Sequence, residues 1–203
     1  MMWMVLTCNV SAGIMFIGFQ SPMLQALLKA SYAAKYADRA ALAAALAGAG
    51  ATLIAISSVF NGVGRFFWGS LSDKIGRTNA FRLLVGSQIA IFIALIYIKS
   101  PWIFGALVCY VLLCYGGGFG AMPAFVLDVF GPVQMPVVYG VILTGWSAGG
   151  IIGPQLAAII RDRFPDNPGV YTYAGGAILL ALGFVFSLAL SDKPFGSKNS
   201  APD

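Results

Sequence analysis

The chain has 203 residues, of which 59% are hydrophobic and only 9% charged. Such a surplus over what a soluble core requires excludes an ordinary water-soluble domain and places the chain in a bilayer. Twelve Lys and Arg stand against seven acidic residues, all Asp, and no His; the basic residues are scattered between apolar stretches, which excludes a nucleic-acid-binding surface.

A bilayer core of about 30 Å is crossed by about 20 apolar residues in a helix. Six stretches of at least that order follow one another at 3–28, 44–72, 80–98, 101–129, 136–160 and 168–190. They are too long and unbroken for barrel strands, and in lipid a lone segment satisfies its own backbone only as a helix. The expected fold is all-α: an integral membrane six-helix bundle over residues 1–191, followed by a polar tail, 192–203, with the composition of a disordered segment. The opening stretch MMWMVLTCNVSAGIMFIGF lacks a basic leader and a small-residue cleavage site, so it reads as the first span rather than a signal peptide. Cys8, Cys109 and Cys114 lie in apolar stretches without a ligand spacing and read as small hydrophobes.

The second span ends in Asn61 to Arg77, NGVGRFFWGSLSDKIGR. Arg65 lies seven residues before Ser72, about 10 Å inside the helix end, where an arginine costs about 2.5–3.5 kcal/mol even on the lenient insertion scale. Two uses offset that cost. The guanidinium snorkels to the loop or to a backbone carbonyl, or it holds a carboxylate bidentately in a cavity between helices.

Further along, Pro101, Pro136 and Pro168 stand where a first helical turn tolerates a missing N–H, and Gly76, Lys99-Ser100 and Asp166-Asn167 mark breaks. Gly116 and Gly120 on the fourth span, and Gly145, Gly149 and Gly153 on the fifth, make smooth stripes for close helix approach, which also allow helices to slide. No strand precedes GGGFG, so it is no phosphate loop, and no cofactor or metal is expected. Six cations (Lys29, Lys35, Arg39, Lys99, Arg161, Arg163) fall on one side of the membrane and five (Lys74, Arg77, Arg82, Lys193, Lys198) on the other, so charge alone leaves orientation undecided. Every Asp lies at a span end, a loop or the tail, which leaves no proton relay at mid-membrane. With no His, no paired carboxylates in a span and no nucleophile beside a base, an enzyme is disfavoured.

Gly69, Asp73, Lys74, Gly76 and Arg77 fit G-x-x-x-D-K-x-G-R, which resembles the loop signature of the major facilitator superfamily between the second and third helices of a six-helix half. In physical terms Gly69 lets two helices meet, Gly76 permits a tight turn, and Asp73 can face the positive N-terminal end of another helix. Arg77 needs an anion, and Asp128, at the end of the fourth span on the same side, is its expected partner in the state closed on that face. The plainer reading is a solvated loop that sets topology.

The wider stretch Asn61 to Arg77, with Asn9-Val-Ser-Ala-Gly13 and Asp128-Val-Phe-Gly131, is similar to the oxalate/formate antiporter family of that superfamily, over essentially the whole chain but only against the family's second half. The resemblance implies that the Asp73 loop and the C-terminal tail are cytoplasmic, in the plasma membrane. It also implies that Arg65 binds a substrate carboxylate in a central cavity walled by Tyr115, Phe119 and Trp146; each aromatic alone is as readily a packing or lipid-facing residue. Oxalate carriers of the family are expected to hold a second cation, a lysine, in the stretch Tyr139 to Ser147, and this chain has none there. One arginine would leave a dianion uncompensated, so a monocarboxylate or a different small organic anion is the expected cargo. The expected function is secondary transport of small organic anions as the C-terminal half of a carrier, with a complementary six-helix half supplied by the same gene, a split gene or a second copy. The alternative is a non-transporting membrane subunit whose glycine faces dock a partner and whose Arg65 is structural.

Overall fold

The computed structural model describes residues 1–194; the part of the expected disordered tail at 195–203 lies outside the described residues. Five helices are long and apolar enough to cross a membrane: α1 (Met2–Ala33), α2 (Arg39–Ile75), α3 (Arg77–Tyr97), α4 (Pro101–Arg163) and α5 (Pro168–Leu188). No strand occurs among the described residues. Asp38 caps α2 by accepting from the Ala41 N–H at 2.9 Å, satisfying one of the free donors of its first turn.

The spans expected at 101–129 and 136–160 are not separated by a loop. Helical turns continue through the six intervening residues, broken only at Gly131, whose backbone (φ 75°, ψ 169°) leaves the helical region. Pro132 follows at the position where a new helix tolerates a missing N–H, and Pro136, expected to open the fifth span, lies one turn inside it. At 1.5 Å per residue, Phe119 and Trp146 would lie about 40 Å apart on one straight helix, yet their ring centroids are 6.2 Å apart. The chain therefore turns back at Gly131, and residues 101–130 and 132–163 form two arms of α4. This backbone region is essentially glycine's alone, so Gly131→Ala is expected to lower stability by about 1–3 kcal/mol, measurable as a lower thermal midpoint in detergent.

The two arms run in opposite directions along α1. A methyl group on Gly118 or Gly13 would press Asn9 or the Tyr115 ring, so α1 and the first arm are antiparallel. On the second arm, Gly145 meets Trp3 and Thr7, Gly149 meets Val10, and Gly153 meets Ser11 and Met15, a parallel contact. These small residues bring backbones together where apolar side chains on both sides of a seam gain nothing over lipid. α5 packs antiparallel to α1 through Gly183 on Cys8 and Gly176 near Met15, and to α3 through Gly176 on Phe92 and Gly86 on Phe184. α1 thus contacts α2, α5 and both arms of α4.

Buried amides tie α1 to its neighbours. Gln88 Nε2 donates to Asn9 Oδ1 at 2.9 Å, joining α3 to α1, and Ser57 Oγ donates to Gln20 Oε1 at 3.1 Å, joining α2 to α1. In lipid such a bond contributes about 0.6–2 kcal/mol. The core around them holds Phe16, Trp68, Phe92, Phe104 and Phe125, all nearly inaccessible. Cys109 and Cys114 are buried and Cys8 partly so, all as free thiols.

Candidate functional site

Two groups of the residues singled out by sequence come together in the fold, at different depths. The first lies at one end of the bundle, where α2 gives way to α3 at Gly76 (φ 88°, ψ 146°) in a turn without a loop. Positive φ there is cheap only for glycine. The turn leaves Arg77 partly buried: its Nε donates to Asp128 Oδ2 at 2.8 Å, and its Nη1 reaches both Asp73 and Ser72 Oγ. A fork with two carboxylates and a hydroxyl thus joins α2, α3 and the first arm of α4. Lys74 is exposed and forms no ion pair among the described residues.

Asp73 and Gly69, from the same motif, have different surroundings. Asp73 does not occupy the N-terminus of a neighbouring helix; it pairs four residues along its own chain with Arg77. The carboxylate at the start of α3 belongs to Asp192, which accepts from the Thr78 N–H at 2.8 Å and from the Thr78 hydroxyl. Asp192 fits there because the first turn of a helix carries free N–H groups and partial positive charge. Gly69 meets no helix among the described residues, since a Cβ there would touch nothing within 4 Å. Glycines elsewhere make the α2–α4 contact: a methyl on Gly64 would overlap the Leu113 carbonyl, one on Gly116 the Asn61 carbonyl, and one on Gly120 the Arg65 backbone.

That seam positions the second group. Arg65 lies ten residues before the end of α2, about 15 Å along the helix. Its side chain is exposed and, among the described residues, has neither an ion pair nor a hydrogen bond. It stands within electrostatic reach of Tyr115 on the first arm of α4 and Tyr139 on the second. Tyr115 and Phe119, one turn apart, pack edge to face at 5.4 Å, and Phe119 does the same with Trp146 at 6.2 Å. Tyr115 is buried, Phe119 half-buried, and Trp146 51% exposed. A free guanidinium next to an aromatic wall can hold a planar anion by paired hydrogen bonds while the rings pack on its apolar part.

α2 presents two unlike flanks. Ser58, Gly62, Arg65 and Gly69 recur every three or four residues and make one small and polar strip; Ile56, Phe60, Val63 and Phe67 make an exposed apolar one. Clefts of about 510 and 380 Å³ open elsewhere on the bundle, and neither is lined by Arg65. Sequence reasoning assigned no role to Tyr139. Its spacing of seven residues, two turns, from Trp146 was the available signal, because it sets both rings on one face of the second arm.

Residues 1–154 match the family model described as Major Facilitator Superfamily. The chain belongs to that superfamily. It is an integral membrane protein of a transporter family, built of apolar helices. Among curated relatives it is 31% identical over 117 residues to the oxalate:formate antiporter of Oxalobacter formigenes, covering 56% of this chain and 28% of the relative. It is 28% identical over 142 residues to monocarboxylate transporter 10 of Danio rerio, covering 66% and 28%. To apicoplast pyruvate carrier 1 of Toxoplasma gondii it is 31% identical over 147 residues, covering 69% and 26%. This superfamily member thus spans little more than a quarter of the length of these relatives. No solved structure matches it.

Proposed function

We propose that the chain is the C-terminal half of a secondary carrier of small organic anions, with Arg65 as the group that binds the substrate carboxylate. The observation that carries this reading is the unpaired Arg65 guanidinium, at depth on α2 and within electrostatic reach of Tyr115, the first of the packed ring series Tyr115, Phe119 and Trp146. Arginine within a span is costly, and no protein anion among the described residues offsets its charge. A visiting carboxylate does so. The names of the three relatives, which refer to oxalate and formate, monocarboxylate and pyruvate, agree with that chemistry.

On this reading each arm of α4 crosses the membrane, making six crossings of alternating direction. The polar strip of α2 faces a complementary six-helix half, which closes the cavity over Arg65 and Trp146. Rocking of the halves exposes the site to each side in turn, by exchange of one anion for another. The Arg77 fork with Asp73 and Asp128 clamps the end that the family resemblance makes cytoplasmic, and parting of these groups opens it. The rival docking-subunit reading placed its docking faces on the glycine stripes of the fourth and fifth spans. Gly116, Gly120, Gly145, Gly149 and Gly153 are all taken up by contacts inside the bundle, which favours the carrier.

A single guanidinium matches one carboxylate, and a second buried negative charge would stay uncompensated. With the complementary half supplied in proteoliposomes, labelled formate, lactate or pyruvate is therefore expected to exchange at least about tenfold faster than oxalate, a discrimination of about 1.4 kcal/mol. Equal transport of oxalate would overturn the monocarboxylate assignment. Failure to move any small anion would overturn the carrier.

A further inference from the structure

The larger cleft, about 510 Å³, lies between the last turns of α1, the first half of α2 and the start of α4, with Leu28, Tyr32, Leu53, Ile56, Trp102 and Gly105 in its walls. Nothing in the transport reading uses it. Its walls are apolar, and the hydroxyl that α2 adds, that of Thr52, already donates to the Gly48 carbonyl at 2.9 Å. Apart from the Tyr32 phenol at one end and the Cys109 thiol, a polar or anionic small molecule finds no free side-chain partner there.

Its direction identifies what does fit. Ile56 and Arg65 are nine residues apart, about two and a half turns, so they point to opposite sides of α2. The cleft wall at Ile56 continues into the exposed apolar strip of Phe60, Val63 and Phe67, which has no charge along it and suits contact with lipid tails. At its outer end stand two amphipathic rings of the kind that mark a membrane interface, Tyr32 and Trp102, the latter 89% exposed. Lys29 follows Leu28 directly, and Lys99 precedes Pro101 by two residues. Both lysines are exposed and unpaired among the described residues.

We infer that this cleft is a binding site for one anionic phospholipid, with one of its two acyl chains in the cleft between α1, α2 and α4 and its headgroup phosphate at Lys29 and Lys99. An apolar slot of this volume, open to lipid tails and ending at interfacial rings and two free ammonium groups, is complementary to that molecule along its whole length. Each lysine near the surface strengthens binding of an anionic headgroup by about fivefold.

The test is native mass spectrometry of the purified protein after equilibration with equal amounts of phosphatidylglycerol and phosphatidylcholine of identical acyl chains. One retained phospholipid is expected, with phosphatidylglycerol favoured at least about fivefold. Lys29→Gln with Lys99→Gln is expected to bring the ratio near one while retaining lipid. A Cβ on Gly105 would meet Leu53 Cδ1 at 3.7 Å, an ordinary contact, so Gly105→Phe is expected to fill the slot and release the lipid. Equal retention of both lipids by the unsubstituted protein, or retention unchanged by Gly105→Phe at an unchanged thermal midpoint, would overturn the inference. So would a photo-cross-linker at Trp102 that captures polypeptide, from a second copy or a complementary half, instead of lipid. None of these readouts depends on Arg65 or on transport.

Discussion

Arg65→Ala is expected to lower the specific rate of anion exchange by at least about 30-fold without lowering the thermal midpoint of the protein. Removing one partner of a hydrogen-bonded charge pair costs about 2–5 kcal/mol, much of it from leaving the other charge without compensation, and 2 kcal/mol is already about 30-fold. Stability stays unchanged because the guanidinium has no ion pair or hydrogen bond among the described residues, so the empty protein loses nothing it was using. Arg65→Lys separates charge from geometry: an ammonium restores attraction but not the planar fork, so intermediate transport with weakened apparent affinity is expected. Exchange in proteoliposomes beside a thermal melt of the same preparations gives both readouts. Full transport by Arg65→Ala would remove the basis of the binding assignment, and a collapse of stability would return Arg65 to a structural role.

The second large effect falls on the seam that holds Arg65 in place. Gly64→Ala and Gly116→Ala each set a methyl group against a backbone carbonyl, that of Leu113 and of Asn61 respectively. A carbonyl cannot rotate away as a side chain does, so α2 and the first arm of α4 must separate. Overpacking of this kind costs about 1–3 kcal/mol, which for a chain of this size corresponds to roughly 2–4 °C of midpoint per kcal/mol. The double substitution is expected to cost less than the sum, since the first already opens the gap that the second needs. Gly62→Ala and Gly69→Ala are the controls. Neither Cβ would meet anything within 4 Å, and alanine favours the helix by about 1 kcal/mol over glycine, so stability is expected to hold or rise. Transport should fall in the seam variants, because the Arg65 backbone abuts Gly120 on the same contact.

Much of this protein is legible along the chain because the bilayer imposes one length and one solvent on every span. Runs of apolar residues locate the long helices, although α1 and α2 each extend about five residues beyond the expected span at one end and α4 takes in two expected spans; an arginine within a span or a glycine at a turn is conspicuous against them. The motif from Gly69 to Arg77 also identified Asp128 as a nearby anion, and the pair is formed at 2.8 Å. Local pattern could not show that Gly131 alone reverses the chain, because a helix with four internal prolines has several places to break. Nor could it place Asp192 on Thr78, 114 residues away, or Tyr139 near Arg65. Those placements follow from how closely the glycine seams let α1, α2 and α4 approach, and that approach is decided by backbone contacts between distant segments. Hydrophobic length and residue type determine which segments enter the membrane; only the packing of their smallest residues determines which polar groups meet there.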